Sequence, residues 1–210
     1  DKAIDEKYVR SELMKRICSE FSYGKGPIED CFWAGTPKTR EWPQFIGEKI
    51  TDIAVVGSGF TGLNAALRLA DAGREVTVLD AKEPGWGASG RNAGFCCVGG
   101  AKASHSSIAK RVGEDGARDY WLTERDAVHH VDALVSRLGV DVDRHSQGET
   151  YLAHRASAVS KLHKAAEDLF ELTGETANVV EKADMPKAGY GHHFHGAMEG
   201  TLGFALNPRK

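Results

Sequence analysis

The chain has 210 residues, enough for one sizeable core or one and a half modest domains. Its 27 Lys and Arg nearly balance 30 Asp and Glu, so the net charge of −3 leaves neither a basic field for nucleic acid nor an acidic tail. No apolar run is long enough to span a bilayer, and the charged N-terminus DKAIDEKYVR lacks the apolar core of a signal peptide.

Cysteine usage points the same way. Cys18, Cys31, Cys96 and Cys97 form no CxxC pair and no metal-ligand spacing, so a reduced, cytoplasmic protein is expected, with no metal. Asp1 is not a start methionine, which leads us to expect a part upstream that was removed or is not included.

In chain order, residues 3 to about 20 read as an amphipathic helix, with Ile4, Tyr8, Leu13 and Ile17 on one face. Residues 22 to 50 read as an irregular arm, broken by Pro27, Pro37, Pro43 and several glycines. The aromatics of Cys31-Phe32-Trp33 and Trp42 are expected to pin this arm to the domain surface.

Residues 51 to 80 carry most of the information. An apolar run, Ile53 to Val56, ends at Gly57-Ser58-Gly59-Phe60-Thr61-Gly62. A helical pattern follows through Leu63, Ala66, Leu67 and Ala70 and stops at Gly73. A second apolar run, Val76 to Leu79, ends at Asp80. Strand, glycine turn, helix, strand and acid make a dinucleotide-binding unit. Gly57 permits the tight turn, Gly59 admits a pyrophosphate to the backbone, and Gly62 lets the helix pack on the strand. The helix N-terminus offers unpaired N–H groups and a partial positive charge to that pyrophosphate. Asp80 stands where an acid accepts ribose hydroxyls, and its charge disfavours NADP. The unit by itself leaves NAD and FAD both open, since each presents an ADP half.

A glycine-rich loop runs from Gly85 to Gly100, and its bare backbone implies that something flat or charged lies against it. Residues 104 to 138 read as helix interrupted near Gly113 and Gly116, with Val128, Val131, Val135 and Leu138 on one face and Gly139 as cap. Strands are expected at 140–144 and 149–153. A helix follows from about 157 to 173, with Val159, Leu162, Ala166, Leu169 and Phe170 inward. Val179-Val180 suits a strand, and the tail from Gly189 is turn-rich with short apolar pieces. Cys96-Cys97 reads either as a strained redox pair or as inert packing thiols, the latter favoured by apolar surroundings. His192, His193 and His195 read as a solvent-facing turn rather than a metal site, and His129-His130 as surface residues. His105 is left unassigned.

With GSGFTGLNAALRLADAG…VTVLDA and then GWGASGRNAG on the page, the chain resembles the FAD-dependent oxidoreductases of the D-amino-acid oxidase, glycine oxidase and sarcosine oxidase group. It is most similar to the branch that includes γ-glutamylputrescine oxidoreductase. Phe32-Trp33-Ala34 fits that branch's segment before the first strand, and Gly203-Phe204-Ala205-Leu206-Asn207-Pro208 fits its element opening a second pass into the FAD domain. The resemblance implies a Rossmann-type α/β FAD-binding domain, incomplete here, with part of a mixed α+β substrate domain. The implied division is 1–50 arm, 51–140 first FAD-binding segment, 141–202 part of the substrate domain and 203–210 the start of the return.

The resemblance also implies roles. Gly57, Gly59, Phe60, Thr61 and Gly62 would hold the pyrophosphate, and Asp80 with Ala81 the adenosine ribose. Gly87, Ala88, Ser89, Arg91, Asn92, Ala93 and Gly94 would lie along the pyrophosphate and flavin ring. Ala93 departs from the usual glycine, and Phe95-Cys96-Cys97 from a more polar stretch. The FAD is expected to be non-covalent, because covalently linked relatives use a histidine where Arg91 stands. The implied chemistry is hydride transfer from an amine or amino acid to flavin N5, with the imine hydrolysed by water. Catalytic residues are not identifiable. The alternatives are a NAD-dependent dehydrogenase and a non-catalytic half-flavoprotein subunit. The chain is expected to need a C-terminal half, as a second chain or a continuation, and alone to be poorly soluble and flavin-free.

Overall fold

The computed structural model describes residues 31–37, 41–100 and 103–210. The helix expected over residues 3 to 20 lies outside them. The described part of the arm, 31–37 and 41–50, forms only a short 3-10 turn at Phe32–Gly35.

β1 (Ile53–Val56) and β2 (Val76–Leu79) pair in parallel, Ile53 opposite Val76 and Val56 opposite Leu79. Their β-branched residues suit a pleated surface. α1 (Phe60–Asp71) crosses between them with Ala66 buried, and ends where Gly73 takes a left-handed φ of 77°.

After the second loop, β3 (Phe95–Cys96) pairs antiparallel with β7 (Phe204–Ala205). Between them comes α2 (His105–Leu138), N-capped by Ser104, whose hydroxyl accepts from the Ser107 N–H at 3.3 Å. Gly113 interrupts α2 with φ 79° and ψ 170°, whereas Gly116 stays helical. Gly139 caps it at φ 62°. Val128 is buried, but Leu138 is 48% exposed, so the expected apolar face stops short of the last turn.

The third sheet has the order β4-β6-β5, built from β4 (Glu149–Leu152), β5 (Ala177–Glu181) and β6 (Gly196–Gly200), all antiparallel. α3 (Val159–Thr173) packs on it where Gly196 leaves room for Val159. On the sheet, Val180, Met185 and Ala197 form a buried cluster with Leu152, Tyr190 and Phe194 against it.

Three expectations are corrected. Residues 140–144 are no strand: the bridge nearest to them is an isolated one just beyond, His145 to Ala205, and Asp143 and Ser146 take positive φ of 53° and 63° that turn the chain out of register. The tail holds the central strand β6 and the pairing strand β7, which the pattern missed because GAMEG has no β-branched residue. Phe170 points outward and is 59% exposed, since the inward face of α3 passes through Leu162, Ala166 and Leu169 instead.

Candidate cofactor site

The glycine turn closes β1 onto α1. Gly57 has φ 102°, a left-handed conformation that side chains resist, and its N–H donates to Leu79 O at 2.7 Å. At Gly62 a Cβ would collide with the Gly57 carbonyl and press on Val55 at 3.3 Å, so glycine here permits helix and strand to meet. At Gly59 a Cβ would lie 2.9 Å from Ser89 Oγ.

Asp80 is tied back to the turn. Its Oδ2 accepts from the Ser58 N–H at 2.6 Å and the Ser58 hydroxyl at 2.7 Å, and its Oδ1 from the Lys82 N–H at 2.9 Å. Partial burial pushes this carboxyl up, but the hydrogen bonds from Ser58, Lys82 and Ala81 outweigh it and hold it below the ordinary 3.8. Ser58 is buried at 4% exposure, and nothing in the sequence pattern singled it out.

The second loop touches the first. The Phe60 N–H, at the start of α1, donates to Ser89 Oγ at 2.9 Å. α1 has no side-chain cap of its own at Gly59, so Ser89 supplies the acceptor from across the fold. A cavity of about 320 Å³ opens here, lined by Ser58, Phe60, Gly85, Ser89 and Arg209, with Leu134 and Leu138 of α2 opposite.

Within the second loop Arg91 and Asn92 bond back to the loop's own backbone. Arg91 stacks its guanidinium over the Trp86 ring at 4.3 Å and donates from Nε to the Trp86 carbonyl. Asn92 Nδ2 donates to Ser89 O at 2.8 Å, its Oδ1 accepts from the Gly94 N–H at 2.8 Å, and its carbonyl accepts from Trp33 Nε1 at 2.8 Å. Thus Trp33 of the arm is fastened to the loop. Phe60, Thr61, Ala81, Gly87, Ala88 and Ala93 are all exposed.

The bare backbone of this loop is met partly by the chain itself. A Cβ at Gly90 would collide with Gly85 O and the Arg209 side chain, and one at Gly94 with Leu206 O. Arg209 is 6% exposed and pairs with Glu83. Asn207, 2% exposed, donates from Nδ2 to Thr36 Oγ1 at 2.7 Å and to Asp143 Oδ2 at 3.1 Å. It joins the arm, the 140s segment and the return. The sequence pattern marked that element without giving Asn207 or Arg209 a task.

The remaining candidates separate clearly. Cys31, Cys96 and Cys97 are free thiols. Burial, with Asp132 nearby, raises Cys96, and burial together with Glu149 pushes Cys97 up to about 11, so both stay protonated and unreactive near neutrality. His129, His130, His192 and His193 are exposed. Among the described residues no group of three or more His, Cys, Asp or Glu is placed to hold a metal ion. No helix among them is long and apolar enough to cross a membrane.

Residues 52–210 match the family described as DAO, FAD dependent oxidoreductase. The chain belongs to this family. FAD is therefore the family's cofactor, and the NAD alternative is set aside. The chain is 35% identical over 124 residues to gamma-glutamylputrescine oxidoreductase of Escherichia coli, a match covering 59% of this chain and 29% of that protein. It is 33% identical over 103 residues to the probable oxidoreductase OrdL of Haemophilus influenzae, covering 49% of this chain and 24% of that one. The chain thus spans less than a third of these relatives. Among solved structures, glycine oxidase from Geobacillus kaustophilus matches 76% of this chain and 41% of its own, with TM-score 0.55 and 22% identity. L-amino acid deaminase from Proteus vulgaris matches 82% and 38%, with TM-score 0.58 and 16% identity. These structures share the fold of a FAD-dependent oxidoreductase.

The residues present fit the cofactor. Gly59 leaves an approach that a side chain would fill, the first N–H of α1 meets only a rotatable hydroxyl, and an ionised carboxylate stands at the end of β2.

Proposed function

We propose that the chain forms part of a flavoenzyme that oxidises an amine or amino acid. The observation that carries this is the contact of the two glycine loops through Phe60 N–H and Ser89 Oγ, in a chain of the FAD-dependent family. The similar proteins bear names with nitrogen-bearing substrates: gamma-glutamylputrescine, glycine and L-amino acids. In this reading Gly57, Gly59, Phe60, Thr61 and Gly62 hold the pyrophosphate. Asp80 and Ala81 receive the ribose, for which an ionised acceptor is required. Gly87, Ala88, Ser89, Arg91, Asn92, Ala93 and Gly94 follow the pyrophosphate toward the ring.

Held by these residues, FAD would supply the two-electron acceptor, at N5, for a hydride from the carbon bearing nitrogen, and the imine left behind would be open to hydrolysis by water. The chain's own residues bind, orient and exclude water. Arg91 and Asn92 act indirectly, by holding the loop's shape. The FAD is non-covalent, Arg91 standing where a linking histidine would be needed. A further polypeptide, as a second chain or a continuation, completes a cytoplasmic enzyme.

The test is anaerobic. Amines and amino acids should bleach the visible absorption of the flavin-loaded protein. Bleaching by NADH or by alcohols, with none by any amine, overturns the reading.

A further inference from the structure

The 3-10 turn of the arm lies before the stretch, 52–210, that matches the family, yet its side chains reach into the cofactor site. The Cys31 thiol donates to the Gly90 carbonyl at 3.5 Å, and the Trp33 indole N–H to the Asn92 carbonyl at 2.8 Å. The Thr36 hydroxyl gives its one proton to the Trp33 carbonyl at 2.7 Å, which leaves its oxygen to accept from Asn207 Nδ2 at 2.7 Å. Trp33 and Thr36 are both half-buried.

These bonds form one continuous line. It starts at Asp143, passes through Asn207, Thr36 and Trp33 to the Asn92 backbone, and continues from the Asn92 amide to Ser89 O at 2.8 Å. Ser89 in turn meets the first N–H of α1 through its hydroxyl. The loop at this end has little regular structure of its own: between Gly85 and Gly94 there is only the 3-10 turn Ala88–Gly90. Trp33 gives it a donor from outside and also a wall, since a Cβ at Gly94 would lie 3.4 Å from the indole ring. A ligand that meets a loop already held in shape does not have to offset the entropy of ordering it.

We propose that Trp33 is a positioning residue for the cofactor, with Thr36 and Asn207 as its support. The arm holds residues 89–94 in the shape that receives the pyrophosphate before FAD arrives. Trp33 does not line the cavity at the glycine turn, so it acts through Asn92 and Ser89. This inference rests on the flavin reading above and deepens it.

The test uses the chain produced with a complement of the relatives' remaining length, stripped of flavin and titrated with FAD. Affinity is read from the change in flavin fluorescence, and stability from chemical denaturation of the same flavin-free protein. Trp33→Phe keeps an aromatic ring and loses the donor. It should weaken FAD binding about tenfold, the scale of one lost hydrogen bond, and leave the denaturation midpoint with the parent. Amide exchange at residues 89–94 of the flavin-free protein should rise. Thr36→Val cuts the line one step further off and should weaken FAD binding in the same direction, and Thr36→Ser should restore it. This second pair serves if Trp33→Phe fails to fold. A parent that takes up FAD, with unchanged affinity in Trp33→Phe, overturns the proposal and leaves the flavin reading standing. Affinity and stability falling together, or no recovery in Thr36→Ser, would make the turn a structural prop only and overturns it as well. A parent that takes up no FAD sinks the flavin reading and this inference with it.

Discussion

Gly59 and Gly62 stand three residues apart and forbid side chains for different reasons. At Gly62 the obstacle is backbone, the Gly57 carbonyl, which cannot move without opening the turn. Gly62→Ala should therefore cost stability, about 1–3 kcal/mol as in other overpacked sites, read by chemical denaturation. At Gly59 the nearest atom is the Ser89 hydroxyl, which can rotate. Gly59→Val should leave the fold nearly intact and abolish FAD retention, because its side chain fills the approach to the backbone. Measured with both proteins produced together with the relatives' remaining length, equal flavin content in Gly59→Val and a yellow parent would refute the assignment of the turn. Asp80 adds a pH dependence. Its folded value is depressed below 3.8, so its contribution to stability is complete above that ordinary value. It is lost as pH falls through the folded value. Asp80→Asn should flatten the acid limb of the stability profile below about pH 4, and unchanged acid unfolding would contradict the Ser58–Asp80 bonds.

Elements here meet through glycines and one asparagine. β7 reaches β3 only because Gly94 has no side chain, and Leu206 N–H donates to Gly94 O at 2.8 Å. Gly94→Ala should unpair this short ladder, raising amide exchange at residues 204–207 while β4, β5 and β6 keep their protection. Asn207→Ala should cost about 1–3 kcal/mol, since Thr36 and Asp143 lose a buried donor. By contrast Gly139→Ala should cost only about 1 kcal/mol, as a cap with nothing within 4 Å.

For the whole molecule, the parallel pair β1-β2 is the telling feature. Parallel strands are ordinarily covered on both faces, yet Val56 is 86% exposed, and Ile50 and Phe95 are 97% and 73% exposed. The relatives are more than three times as long as the stretch they share with this chain. We expect the chain alone to elute above its monomer mass and to retain no flavin, and to become monodisperse and yellow when produced with a complement of the relatives' remaining length. A yellow, active monomer of this chain alone would overturn that expectation.

Periodicity in two registers made β1, α1, β2, α2 and α3 legible, because each rests on local interactions: a glycine turn, a cap, an apolar stripe. The spacing from Gly57 to Asp80 is likewise local, and it marked the candidate site before any contact was known. What lay beyond the sequence was long-range. β6 takes the centre of its sheet through neighbours, with no strand propensity of its own. Ser58 reaches Asp80, Ser89 caps a helix 29 residues away, and Asn207 grips Thr36 across 171 residues. His105 and Trp121 of α2 and Glu149 of β4 line one cavity, and only packing brings the two elements together. Local chemistry repeats along the chain and can be read there, whereas partners distant in sequence are chosen by the burial of the whole.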